Sequence, residues 1–136
     1  MGDKTIFFSE FVLRVEQYVE QSNELTRVNL STQIQVDIDF ELNPIQTINY
    51  FRIVQEAINN ALKYAHAKSI QVFIKHNNGS VLIQIIDDGD GFDQQSTRMG
   101  TGVKGMQVRA TEAQAVFRFE SEQGKGTIIH LSIPLK

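Results

Sequence analysis

A two-layer α/β sandwich, with a mixed sheet carrying helices on one face, is the fold class that this 136-residue sequence predicts. Three observations predict it. Apolar residues recur at three- and four-residue steps in some segments and at two-residue steps in others, so helical and strand periods are both present. These segments interleave as helix, strand, helix, hairpin, helix and hairpin, an order that favours helices laid against one mixed sheet. The composition, 41% hydrophobic and 21% charged, is that of an ordinary globular domain, and no repeat or linker interrupts residues 1–136.

The first helix is expected over about residues 4–22, where Phe8, Phe11, Val12, Val15, Tyr18 and Val19 share helical spacing. Next, Ile34, Val36, Ile38 and Phe40 alternate with Gln35, Asp37 and Asp39, the pattern of a half-buried strand. Asn43-Pro44 opens a long helix, because Asn caps well and Pro is pre-set for the first helical position. Its apolar residues Ile48, Phe51, Val54, Ile58, Leu62 and Ala65 fall on one side, while Ile45 and Ile53 fit that side poorly. Two strands, near Ser69–His76 and Val81–Asp87, are joined by Asn77-Asn78-Gly79 as a hairpin turn. A polar, glycine-rich loop over 88–101 precedes a short helix from about Gly102 to Ala113. Strands near Ala115–Ser121 and Thr127–Leu135 close the chain through Gly124-Lys125-Gly126. A long irregular stretch such as 88–101 is more often functional than idle.

Opposite the apolar side of the long helix lie Glu56, Asn59, Asn60 and Lys63. From the helix alone, such a set reads more simply as a solvated helix face. The functional alternative is that Asn, a poor helix former, is placed there to offer an amide oxygen to Mg²⁺, with Lys as a point charge for phosphate. The strand ending at Asp87 runs into Asp88-Gly89-Asp90-Gly91-Phe92. A carboxylate at a buried strand end can accept a hydrogen bond from an exocyclic amine, and Gly lets a flat ring approach the backbone. Acidic turn punctuation is the plain alternative. Gly100-Thr101-Gly102-Val103-Lys104-Gly105-Met106 stands at the expected start of a helix, where exposed N–H groups favour an anion. No strand enters it directly, so the dinucleotide-binding pattern is rejected and the phosphate reading kept.

Taken in order, Glu56-x-x-x-Asn60-x-x-Lys63-Tyr64, Asp87-x-Gly89-x-Gly91-Phe92, Gly100-x-Gly102-x-x-Gly105-Met106 and Gly124-x-Gly126-Thr127 resemble the GHKL (Bergerat-type) ATP-binding fold. That superfamily includes gyrase, the MutL repair proteins, heat-shock chaperones and the sensor histidine kinases. The stretch Phe51–Ala57, with Glu opening the box that contains Asn60, is similar to the kinase subfamily. The resemblance implies that Asp87 reads the adenine amino group, with Gly89, Gly91 and Thr127 around the base. It implies that Asn60 holds Mg²⁺ and Lys63 meets a phosphate, with Asn59 alongside. Gly100, Thr101, Gly102, Val103, Lys104, Gly105 and Met106 would form the lid over the triphosphate. Glu56 would act on water in gyrase-like enzymes and less definitely in kinases, and Tyr64 would either stack near the base or only pack. One departure is Ala110–Ala115, where kinases of this type usually carry Leu-Gly-Gly.

Function follows the same resemblance: a catalytic domain that binds ATP–Mg²⁺ and gives the γ-phosphate to a histidine on a separate helical hairpin of its parent kinase, with a response regulator downstream. A nucleotide-responsive interaction module without transfer and a gyrase-type ATP hydrolase are the alternatives. His66, His76 and His130 each fit a surface or satisfied histidine better than a phosphoacceptor, and their spacing matches no metal motif.

Composition narrows the classes further. With 13 Lys+Arg against 16 Asp+Glu, the net charge of −3 gives no general nucleic-acid footprint. No apolar run approaches the roughly 20 residues needed to span a bilayer, so no direct membrane contact is expected of this domain. The absence of cysteine suits a cytoplasmic setting, whether or not the parent is membrane-anchored.

Overall fold

In the computed structural model, residues 4–64, 66–91 and 97–135 are described. Alternation in two central strands sets the architecture. In β4 (Ser69–Asn77) the side chains of Ile70, Val72 and Ile74 are buried, and in β5 (Ser80–Asp87) those of Val81, Ile83, Ile85 and Asp87. The remaining positions are half-buried or, at Asn77, exposed, so one sheet face carries the core. Asn78 and Gly79, the latter at φ 75°, form the two-residue turn between the strands.

The five-stranded sheet has the order β2-β4-β5-β7-β6, with β2 at Asn29–Gln35, β6 at Val116–Ser121 and β7 at Thr127–Pro134. β2 runs parallel to β4 and the other pairs are antiparallel, which makes the sheet mixed as expected. Three helices cover the buried face: α1 (Phe8–Glu24), α2 (Pro44–Tyr64) and α3 (Thr97–Glu112). Phe11, Val15, Tyr50, Ile53, Ile58, Met106 and Ala110 pack the layer between them. Ile53, which fitted the apolar side of α2 poorly, is fully buried; Ile45 and Ile48 are exposed. Both flanks of α2 therefore meet neighbours, α1 on one side and α3 on the other.

The start of α2 is as the sequence predicts. Asn43 Oδ1 accepts from Gln46 N at 2.9 Å and Gln46 Oε1 accepts from Asn43 N at 2.9 Å, a reciprocal cap.

Three boundaries differ from expectation. The strand placed over 34–40 lies instead at Asn29–Gln35, because pairing with β4 runs from Asn29 opposite Ser69 to Gln35 opposite Lys75. Beyond Gln35 the chain leaves the sheet, and Phe40 stacks on Phe8 with ring centroids 4.7 Å apart. The first helix begins at Phe8, not near residue 4, since Ile6–Phe7 (β1) pairs with Glu41–Leu42 (β3) as a separate two-stranded sheet. The third helix begins at Thr97, five residues before Gly102. Three glycines made that turn resemble a loop, yet packing against α2 carries it into the helix.

Candidate functional site

Asp87 ends β5 opposite Thr127, the first residue of β7. It is 9% exposed and faces the helical layer, the direction set by alternation from Ile83 and Ile85. Its Oδ1 accepts from Gly89 N at 2.9 Å, a short turn that orients the carboxylate. Burial pushes the Asp87 carboxyl above the ordinary carboxylate range; donation by the Gly89 and Thr127 amides pulls it back, and the neighbouring Asp88 charge pushes it up again.

The loop after Asp87 is seated on the turn between β6 and β7. Gly124 N donates to Asp90 O at 2.5 Å. Gly91 (φ 67°) and Gly126 (φ 81°) hold the contact: a β-carbon at Gly91 would run into the Glu122 carbonyl, and one at Gly126 into the Asp87 carbonyl. Both glycines thus allow backbone to meet backbone, in conformations other residues rarely adopt. Ser121 Oγ and Thr127 Oγ1, 2.7 Å apart, close the floor.

From α2 comes Asn60, also 9% exposed, with Glu56 one turn earlier and open to solvent. Both lie against α3, where a β-carbon at Gly102 would stand 2.9 Å from Asn60 Nδ2 and 3.2 Å from Glu56 Oε1. Asp87, Thr127 and Asn60 share one narrow cavity with Ala57, Ala61, Ile85, Ile129, Val103 and Met106. Its volume is about 10 Å³, room for about one water. Val103 and Met106 on α3 close it from above.

The structure thus brings together Asn60, Asp87, Val103, Met106 and Thr127, with Glu56, Gly102 and Gly91 at the margins. It does not bring in Asn59, whose Oδ1 accepts from Tyr18 Oη on α1 at 3.2 Å. Lys63, Lys104 and Gly105 are exposed, and space beside Gly105 is open. Gly102 and Gly105 sit inside α3, so their N–H groups belong to the helical ladder; the expected anion site at the start of a helix falls earlier, near Thr97–Gly100. Of Tyr64, Gly100 and Thr101 only the helical backbone is described, and Phe92 lies outside the described residues.

Sequence reasoning missed Ser121 and Asp88 at the site, and the Tyr18 bond to Asn59 outside it. Tyr18 gave no signal beyond helical spacing; the doubled Asp87-Asp88 was a signal. No cluster of His, Asp or Glu with metal-binding geometry occurs among the described residues. Of the histidines, His66 Nδ1 lies 2.7 Å from Asp90 Oδ2 and His76 Nδ1 3.1 Å from Asp37 Oδ1. His130 is 8% exposed, between Gln84 Nε2 at 3.1 Å and Glu120 Oε2 at 2.6 Å. A wider groove of about 570 Å³ separates α1 from α2, lined by Phe11, Tyr18, Ile48, Phe51 and Arg52, but Asp87 and Asn60 take no part in it.

Residues 46–136 match the family model described as histidine kinase-, DNA gyrase B-, and HSP90-like ATPase. The oxygen sensor histidine kinase NreB of Staphylococcus carnosus (strain TM300) is 36% identical over 95 residues, which cover 68% of this chain and 27% of that protein. This chain therefore spans only about a quarter of that relative. Among solved structures, the ATP binding domain of PrrB from Mycobacterium tuberculosis superposes with a TM-score of 0.76 at 16% identity, over 98% of this chain and 97% of the other. The histidine kinase domain from the Erythrobacter litoralis EL346 blue-light activated histidine kinase gives 0.75 at 18% identity, over 92% of this chain and 61% of that one. These two likenesses concern the fold.

Proposed function

Because this chain belongs to the family of histidine kinase-, DNA gyrase B- and HSP90-like ATPases, which bind ATP, we propose that it is the catalytic domain of a sensor histidine kinase. In that role it donates the γ-phosphate of ATP to a histidine on a helical hairpin elsewhere in its parent protein. The observation that carries the proposal is the shared cavity of Asp87 and Asn60, which sets a buried acceptor for an amino group beside an amide and a carboxylate on α2. The likeness to NreB supports the kinase branch of the family.

The residue roles proposed rest on the family resemblance, and the arrangement supports them. Asp87 takes the adenine amino group, and Gly89, Gly91 and Thr127 shape the base end. Asn60 and Glu56 offer oxygen atoms of the kind that Mg²⁺ prefers. When bound, that ion would neutralise phosphate charge; Asn60 would hold it, with Glu56 one turn away on the same face of α2. Lys63 and Lys104, both exposed, supply mobile positive charge to the phosphates, and α3 forms the lid. A response regulator downstream and a cytoplasmic setting, where ATP is plentiful, complete the proposal. Among the described residues no helix is long and apolar enough to cross a membrane.

The test is transfer. The chain is incubated with γ-labelled ATP and Mg²⁺, alone and with the helical hairpin of its own parent. Acid-labile label on the parent's hairpin, with none on His66, His76 or His130, is the expected result. Phosphate released to water without transfer would favour the hydrolase, and ATP binding with neither outcome would favour a nucleotide-responsive interaction module.

A further inference from the structure

Asp88 stands between Asp87 and Gly89 but is turned to a different part of the fold. Its Oδ1 accepts from Lys68 N at 2.8 Å and from Ser69 N at 2.9 Å, and its Oδ2 accepts from Ser69 Oγ at 3.1 Å. Its own N–H donates to Ser69 O at 3.3 Å. The loop at Asp88 is therefore tied to the first residue of β4 through both backbone and side chain. Gly126 packs on its other side: a β-carbon there would stand 3.2 Å from Asp88 Cα. Donation from Ser69 and Lys68 holds the Asp88 carboxyl below the ordinary carboxylate range, so the clamp is ionised at neutral pH.

The clamp acts on a specific neighbour. The turn that orients Asp87 runs from its Oδ1 to Gly89 N and spans Asp88. Moving Asp88 moves both ends of that turn. An exposed carboxylate with three donors loses side-chain freedom for little gain in core packing, which is unusual for a residue that only fills a loop.

We propose that Asp88 is a positioning residue that determines purine specificity: by fixing the Asp87–Gly89 turn it holds the Asp87 carboxylate where an exocyclic amino group is accepted and a keto oxygen repelled. The inference rests on the assignment of Asp87 to adenine. A rigid acceptor discriminates between 6-amino and 6-oxo purines, because the wrong partner leaves two acceptors facing one another. A loosened turn lets Asp87 swing toward other donors on the ring, and discrimination falls.

The experiment measures the affinities of ADP and GDP for the full chain by calorimetry, with thermal melting as the check on folding. The wild-type chain is expected to prefer ADP. Asp88→Ala should lower the ADP-to-GDP preference by about tenfold, with most of the change in ADP. Asp88→Asn keeps an oxygen for the Lys68 and Ser69 amides and should stay within about threefold of wild type. Asp88→Ser, which reaches one amide at most, serves if the alanine variant does not fold, and the same loss is expected of it. An unchanged preference in a folded Ala or Ser variant overturns the proposal, as does a parallel weakening of both nucleotides. A wild-type chain without any preference for ADP overturns the adenine assignment itself.

Discussion

Gly102 on α3 lies directly against the side-chain amide of Asn60 on α2: a β-carbon at position 102 would come within 2.9 Å of Asn60 Nδ2. Glu56 Oε1 would be 3.2 Å away, so one missing methyl group leaves room for both polar side chains of the α2 face. The lid helix and the residues assigned to the metal are therefore in contact through a glycine, and changing it separates two effects that usually move together.

Gly102→Ala should weaken the site more than the fold, because the helix gain is set against displacement of the buried Asn60 amide. Replacing a helical Gly with Ala favours the helix by about 0.8–1.0 kcal/mol. The new methyl must displace the Asn60 amide, and about a tenfold loss of Mg²⁺–ATP affinity is expected, with metal-free nucleotide affected less. Melting curves and calorimetry with and without Mg²⁺ read the two effects. A folded variant that binds Mg²⁺–ATP as well as wild type would remove Asn60 from the metal.

Asp87→Asn should weaken ADP by about 1.5–3 kcal/mol, the worth of a hydrogen bond to a charged acceptor. The wild-type carboxyl, raised by burial, also sets a pH dependence. A raised carboxyl stabilises the fold most below its unfolded value of 3.8, and that contribution is lost as pH climbs through the higher folded value. Wild-type stability relative to Asp87→Asn should accordingly improve as pH is lowered from neutrality into the carboxylate range. A pH-independent difference in melting temperature would contradict the burial of Asp87.

Asn59 is expected to be structural. Its Oδ1 is engaged by Tyr18 Oη at 3.2 Å, and Tyr18 packs edge-on to Phe51 with centroids 5.7 Å apart. Tyr18→Phe should cost about 0.5–1.5 kcal/mol of stability. Nucleotide affinity should change by less than about twofold in either Tyr18→Phe or Asn59→Ala. A large affinity loss in folded Asn59→Ala would return Asn59 to the nucleotide.

Asp39 caps α1 from outside the helix. Phe7, at the N-cap position, makes no side-chain cap, and Ser9 donates instead to Asp39, from N to Oδ1 at 3.0 Å and from Oγ to Oδ2 at 2.7 Å. The Ser9 side chain is the main reason that the Asp39 carboxyl lies below its ordinary 3.8. A lowered carboxyl contributes stability that is present above 3.8 and lost as pH falls through the folded value. Asp39→Ala should cost about 0.5–1 kcal/mol at neutral pH, the low end for a cap because the pair is exposed and screened. Denaturation at pH 7 and near pH 2 checks the sign: the difference should shrink in acid.

Elements with one clean period were legible in the sequence. Pro44–Tyr64 carries its cap at Asn43, and β4 and β5 alternate around an Asn-Gly turn, so their ends fall within a residue or two of expectation. What was not legible depended on partners far along the chain. Asn29-Leu30-Ser31-Thr32 has weak alternation of its own and becomes a strand because β4 offers a parallel edge. Thr97–Thr101 is helical despite Gly100, since α3 gains its stability from burying Met106 and Ala110 against α2 and the sheet. At the site, residue types and spacing pointed to Asn60 and Asp87 and the resemblance added Thr127, and all three line one cavity. Tyr18 and Asp88 act through hydrogen bonds to residues 41 and about 20 positions away, which no local pattern announces.

The closure of that cavity by Val103 and Met106 has a kinetic meaning. With room for about one water between Ile85, Asp87, Thr127 and α3, a purine held by Asp87 as proposed would enter only after α3 has moved. Entry becomes a two-step process in which the observed rate levels off at high nucleotide concentration, at the frequency with which the helix opens. The measured affinity is the intrinsic one scaled by the open fraction. Trimming Met106 to Ala should therefore raise the plateau rate in stopped-flow binding more than it alters the dissociation rate, so that access to this site is governed by apolar contacts of α3 that need never touch a phosphate.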